Sequence, residues 1–138
     1  MSSADHRVLA GSRVLVIGGT SGFGRQIASQ AIDNGADVVV IGRDPDRLED
    51  TINALASPGR WIEGAALDAT DPAPPTGYLD TLDPFDHVVS MVGGAMAGGF
   101  IGADEEVIRD AVDHKFFANL AIATRVDTDR AVAQRVSR

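Results

Sequence analysis

Directly after the short apolar run Arg13-Val-Leu-Val-Ile-Gly18, the chain reads Gly18-Gly-Thr-Ser-Gly22-Phe-Gly24, with glycines at relative positions 1, 5 and 7. A diphosphate presses against backbone amides only where no Cβ holds it off, and glycine meets that need. A helix opening at this turn aims its free N–H groups at the anion. Thr20 and Ser21 add hydroxyl donors, and Gly24 lets the helix sit close on the strand before it. The plainer reading is a flexible strand-to-helix turn. The buried run before it and the capped helix after it favour the phosphate site.

A second candidate lies at the end of the next apolar run, Ala36-Asp-Val-Val-Val-Ile-Gly42, where Arg43 follows and Arg47 stands one helical turn on. Dinucleotide folds that bind the unphosphorylated ribose place an acidic residue in this slot. Gly42 cannot repel a 2′-phosphate, and a guanidinium is a natural clamp for a phosphate dianion. Alternatively, Arg43 caps or pairs with Asp44 or Asp46. His6, His87 and His114 have no metal-ligand spacing. His87 fits a packed or edge position in a strand, and His114 a solvent-facing helix position. No nucleophile elbow is present.

Composition bounds the alternatives. With 138 residues the chain has room for one domain. The absence of cysteine excludes disulfide scaffolds, cysteine-ligated zinc and thiol nucleophiles, and it fits a reducing, cytoplasmic location. The net charge of −8, from 12 basic and 20 acidic residues, leaves no basic face for a nucleic acid. Lys115 is the sole lysine beside eleven arginines, and Tyr78 the sole tyrosine. The start lacks an apolar signal segment. The longest uncharged run, Val88 to Ala103, has sixteen residues including five glycines, too short and too glycine-rich to span a membrane.

The elements that must position these residues follow from two alternating periods. Strands are expected at Arg13–Gly18, Ala36–Gly42, Phe85–Val92 and, more weakly, Trp61–Leu67, each a short run of the kind buried on both faces. Between them, Phe23, Ile27 and Ala31 mark a helix ending at Asn34-Gly35. Asp44-Pro45 opens a second helix with Leu48, Ile52 and Leu55 on its apolar stripe. Residues 71–84 hold four of the six prolines and read as a loop with one helical turn. The acidic Asp104-Glu-Glu opens a long helix, with Val107, Ala111, Val112, Phe116 and Phe117 on its apolar sides, running to about Thr124. The alternation implies an α/β fold of Rossmann type, a doubly wound parallel sheet.

These residues resemble the short-chain dehydrogenases/reductases. The family's Thr-Gly-x-x-x-Gly-x-Gly is matched at Gly18, Gly22 and Gly24, with Ile17 at the threonine position. Its Asp-x-Leu-Val-Asn-Asn-Ala-Gly strand is matched by Asp86-His-Val-Val-Ser-Met-Val-Gly93, with Ser90 and Met91 replacing the paired asparagines. The resemblance covers about Ser12 to Thr124 and implies strand order 3-2-1-4 with the sheet stopping after about four strands. Residues 1–11 are expected as a flexible N-terminus, 12–124 as an incomplete dinucleotide-binding domain and 125–138 as an atypical tail. By resemblance the cofactor-binding residues are Gly18, Thr20, Ser21, Gly22, Phe23, Gly24, Arg43, Asp68, Ala69, Ser90 and Gly93. Asp68 then touches the adenine; by spacing alone it is only a strand-end or turn aspartate. The loop Gly94–Phe100 would edge the substrate side.

The implied activity is reduction of a carbonyl, or oxidation of a secondary alcohol, with NADP(H) preferred and NAD(H) possible. The family's tyrosine and lysine, four residues apart, have no counterpart: Tyr78 is followed four residues on by Leu82, and Lys115 lies 37 residues away. The family's serine strand has no counterpart either. Lys115 aligns with the family's catalytic asparagine, as a relay or substrate contact or as a plain surface lysine. A silent dinucleotide-binding module, or a degenerate fragment completed by another chain, is the alternative. Self-association through the exposed edge strand and the long helix is expected.

Overall fold

The computed structural model describes residues 7–71, 73–93 and 101–126. The N-terminal residues 1–6, the loop Gly94–Phe100 and the tail beyond 126 lie outside the described residues. The chain divides into two compact units, one of residues 1–67 with 83–91 and one of 68–82 with 92–138.

The first unit holds the sheet. Strands β1 (Arg13–Ile17), β2 (Asp37–Gly42), β3 (Ile62–Ala66) and β4 (His87–Ser90) are all parallel, in the order β3-β2-β1-β4. Val14 pairs with Val38 on one side and His87 on the other; Ile17 pairs with Ile41 and Ser90. Valine and isoleucine stiffen an extended backbone, and here both faces of β1 and β2 are buried: Val14 to Ile17 and Val38 to Ile41 are each at most 3% exposed. Parallel order, strand sequence and the interleaved helices are the Rossmann-type α/β architecture expected from the sequence.

Helix α1 (Gly22–Asp33) returns over the sheet and ends at Asn34, with Gly35 at φ +93°. Its buried residues are Gly24, Ala28, Ala31 and Ile32. This corrects the expected stripe at one end, because Phe23 is 79% exposed. The phase is set by Gly24, which must face the strand. Helix α2 (Pro45–Leu55) starts as its sequence requires. Asp44 accepts from the amides of Asp46 (2.9 Å) and Arg47 (3.2 Å), a cap worth about 1 kcal/mol. Leu48, Ile52 and Leu55 pack on the core as expected. At the start of β1, the Arg13 guanidinium lies 5.3 Å from the centroids of both the Trp61 and the Phe85 rings. Asp86 Oδ2 accepts from the Arg13 amide at 2.8 Å, fixing the entry to β4.

In the second unit, helix α3 (Ala73–Leu79) is seven residues, longer than the single turn expected. Helix α4 (Glu105–Val112) runs into a π-helical turn (Asp113–Phe117), and α-helix resumes to residue 126. The expected apolar sides are corrected here. Val107, Val112, Phe116 and Phe117 are 44–59% exposed, and the buried side chains are Ala118 and Ile122. The π turn accommodates one extra residue, so periodicity counted through it loses phase by about 100°. His114, expected to face solvent, is half-buried. Arg125 pairs with Asp80, and the helix continues past Thr124. Among the described residues no helix is long and apolar enough to cross a membrane.

Candidate functional site

At the C-terminal end of β1 the backbone turns on Gly18, at φ +82°, a conformation that strains any side chain. The amides of Gly18 and Gly19 both point to Ile41 O, at 2.7 and 3.4 Å, so they knit the turn to β2 rather than face a ligand. The outward donors begin later. Arg25 N is the first amide bonded within the helix turn, to Ser21 O at 3.3 Å. The Ser21 side chain makes no capping bond. The first-turn amides of Gly22, Phe23 and Gly24 thus point outward from an uncapped N-terminus, where the macrodipole favours negative charge.

The glycines of the turn serve different ends. A Cβ on Gly24 would collide with the Gly18 carbonyl oxygen and lie 2.8 Å from its carbon and 3.2 Å from Gly19 Cα. Packing alone therefore demands glycine there. A Cβ on Gly22 would meet nothing within 4 Å, so this glycine faces open space. A diphosphate fits such a cradle: bare amides, no Cβ in the approach, and a helix N-terminus behind it.

Gly42 closes β2 and is buried, its carbonyl accepting from Leu67 N at 2.9 Å. Arg43 is exposed and forms no ion pair among the described residues. The sequence alternative, a pairing with Asp44 or Asp46, is not formed, and the Asp44 carboxylate is engaged in capping α2. Ser90 stands at the end of β4, paired in register with Ile17 and so adjacent to the glycine turn. Met91 N donates to Ile17 O at 2.8 Å.

The remaining candidates belong to the second unit. Asp68 Oδ1 accepts from Thr70 N at 3.0 Å and from Thr70 Oγ1 at 2.7 Å, the turn role that spacing alone suggested. Ala69 is 8% exposed. Lys115, in the π turn, lies along Gly93: a Cβ there would stand 3.7 Å from Lys115 Cδ and 3.8 Å from Nζ. Asn119 donates through Nδ2 to Lys115 O and to Val92 O, the latter at 3.3 Å, tying the segment after β4 to the turn that carries the lysine.

The structure places the turn residues, Arg43 and Ser90 at the C-terminal ends of β1, β2 and β4 in one unit, and brings Gly93 and Lys115 together in the other. The Asn119 bond and the π turn leave no periodic signal in the sequence.

A family model for the short chain dehydrogenases matches residues 12–129, slightly beyond the limit read from the sequence. The chain belongs to the short-chain dehydrogenase/reductase family, whose members bind nicotinamide dinucleotides. It is 34% identical over 131 residues to the short-chain dehydrogenase/reductase fsr5 of Gibberella fujikuroi, covering 86% of this chain and 49% of that protein. It is 25% identical over 118 residues to the 3-ketodihydrosphingosine reductase TSC10 of Cryptococcus neoformans, covering 79% of this chain and 35% of that protein. A short-chain type dehydrogenase/reductase from Mycobacterium ulcerans superposes with a TM-score of 0.79 at 25% identity, covering 88% of this chain and 47% of that one. The chain therefore spans about a third to a half of the length of these relatives.

Proposed function

We propose that this chain is the NADP(H)-binding portion of a short-chain oxidoreductase that interconverts a carbonyl and a secondary alcohol. One observation carries the choice of coenzyme: Arg43 stands exposed and without an ion pair beside Gly42, where an acidic residue would exclude a 2′-phosphate. In this reading the amides of Gly22, Phe23 and Gly24 hold the diphosphate, with Ser21 and Thr20 at its rim and Gly18 forming the turn. Arg43 clamps the 2′-phosphate, Asp68 and Ala69 meet the adenine, and Ser90 and Gly93 border the nicotinamide ribose. NAD(H) is the weaker ligand. When bound, the coenzyme supplies or accepts the hydride.

Protonation of the carbonyl oxygen needs a separate acid. Lys115, lying along Gly93, is the chain's candidate for relaying that proton or contacting substrate. A second reading is a dinucleotide-binding module without turnover: Tyr78, the sole tyrosine of these 138 residues, lies upstream of β4 and is followed four residues on by Leu82 rather than lysine. Turnover of a carbonyl panel by the purified chain separates the two. The domain starts at residue 12 and takes in the long helix past Thr124, in a cytoplasmic protein, and self-associates through β4 and the exposed apolar face of α4. The coenzyme reading is tested by thermal melting with and without saturating NADPH: a rise in melting temperature supports it, and an unchanged melt refutes it.

A further inference from the structure

Gly42 leaves the end of β2 without an acidic side chain, and its surroundings supply a reason for that absence. A Cβ built there would overlap the Thr20 methyl, stand 2.8 Å from Thr20 Oγ1 and 3.2 Å from Thr20 Cβ. The backbones on both sides of this contact are tied down. The Gly42 carbonyl is held by Leu67 N, and the preceding Ile41 carbonyl is held by Gly18 N at 2.7 Å, two residues before Thr20. Thr20 is half-buried, and its hydroxyl makes no hydrogen bond among the described residues. The space that a β2-terminal carboxylate would fill is therefore taken by a side chain from the glycine turn.

We propose that Thr20 and Gly42 are a matched pair that selects the ribose. Thr20 bars any side chain from position 42, and so bars the carboxylate that would take a free 2′-hydroxyl. Its own hydroxyl, next to Arg43 in sequence-adjacent backbone at Gly42, is offered to the 2′-phosphate. The pair rests on the coenzyme reading given above but makes a separate steric claim, which melting measurements test without any coenzyme. It also sets an expected limit on engineering: aspartate placed at 42 alone is expected not to convert this chain to NADH, because Thr20 must be removed with it.

The test uses the full chain as a double-mutant cycle, reading melting temperature and titrations with NADPH and NADH. Gly42→Asp is expected to melt lower and to lose NADPH affinity by about tenfold or more. Adding Thr20→Gly restores the melting temperature beyond the sum of the single changes and makes NADH the tighter ligand. Thr20→Val, which keeps the shape and removes the hydroxyl, melts with the unmodified chain and loses roughly tenfold in NADPH affinity. If Gly42→Asp does not fold, Gly42→Ala carries the same collision in a smaller probe. Absence of rescue by Thr20→Gly overturns the pair, and so does rescue with NADPH still preferred. Binding of neither coenzyme by the unmodified chain, with steric rescue intact, overturns the coenzyme reading itself and the selectivity with it.

Discussion

Replacing Gly24 by alanine puts a methyl group against the Gly18 carbonyl oxygen, with the carbonyl carbon 2.8 Å away. The backbone of helix α1 and that of the turn must separate, and forced overpacking of this kind costs about 1–3 kcal/mol. Alanine's helix preference over glycine returns up to about 1 kcal/mol. The net loss is about 1–2 kcal/mol, which lowers the melting temperature of a chain this size by about 3–8 °C. The single tryptophan, Trp61, packed on Arg13 beside the sheet, reports unfolding by fluorescence. Gly22→Asn provides the contrast. Asparagine tolerates the φ of +56° found there, and its side chain enters space with nothing within 4 Å, so stability changes little. That space is where the diphosphate approaches, and NADPH affinity therefore falls by at least about tenfold. Gly24→Ala loses both stability and coenzyme. An unchanged melt for Gly24→Ala would refute the close helix–strand approach, and full NADPH affinity in Gly22→Asn would refute the berth.

Three further outcomes follow from the packing. Arg13→Ala removes a cation held over two rings and destabilises by about 1–2 kcal/mol, with a shifted Trp61 emission and unchanged coenzyme affinity; urea titration measures it. Thr51 is fully buried and its hydroxyl has no partner among the described residues, so Thr51→Val is neutral or stabilises by up to about 1 kcal/mol, the reverse of most core changes. Phe116 and Phe117 are 59% and 54% exposed beside Val112 and Leu120. Sedimentation is expected to show self-association of the unmodified chain that Phe116→Asp with Phe117→Asp reduces, and a sharp monomer at high concentration would contradict it.

The elements that were legible in the sequence are those written in local chemistry. Short valine-rich runs give β1 and β2, Asp44-Pro45 and Asn34-Gly35 give helix ends, and the three spaced glycines give the turn. The strand order came from the family resemblance and is what the sheet shows. What was not legible depends on contacts made through space. Gly24 pressed on Gly18 sets the phase of α1 and turns Phe23 outward, which the spacing of Phe23, Ile27 and Ala31 conceals. The π turn at Asp113–Phe117 shifts the phase between the helical segments before and after it, which counting by 3.6 does not reveal. Thr20 against Gly42 joins positions 22 apart with no pattern between them.

The most direct measurement is a titration of the full chain with NADPH and NADH side by side, repeated on Arg43→Asp. The unmodified chain is expected to bind NADPH at least about tenfold more tightly than NADH, and the substitution to abolish this preference while NADH binding persists. Equal affinity for the two coenzymes in the unmodified chain, or a preference that survives Arg43→Asp, would contradict that expectation.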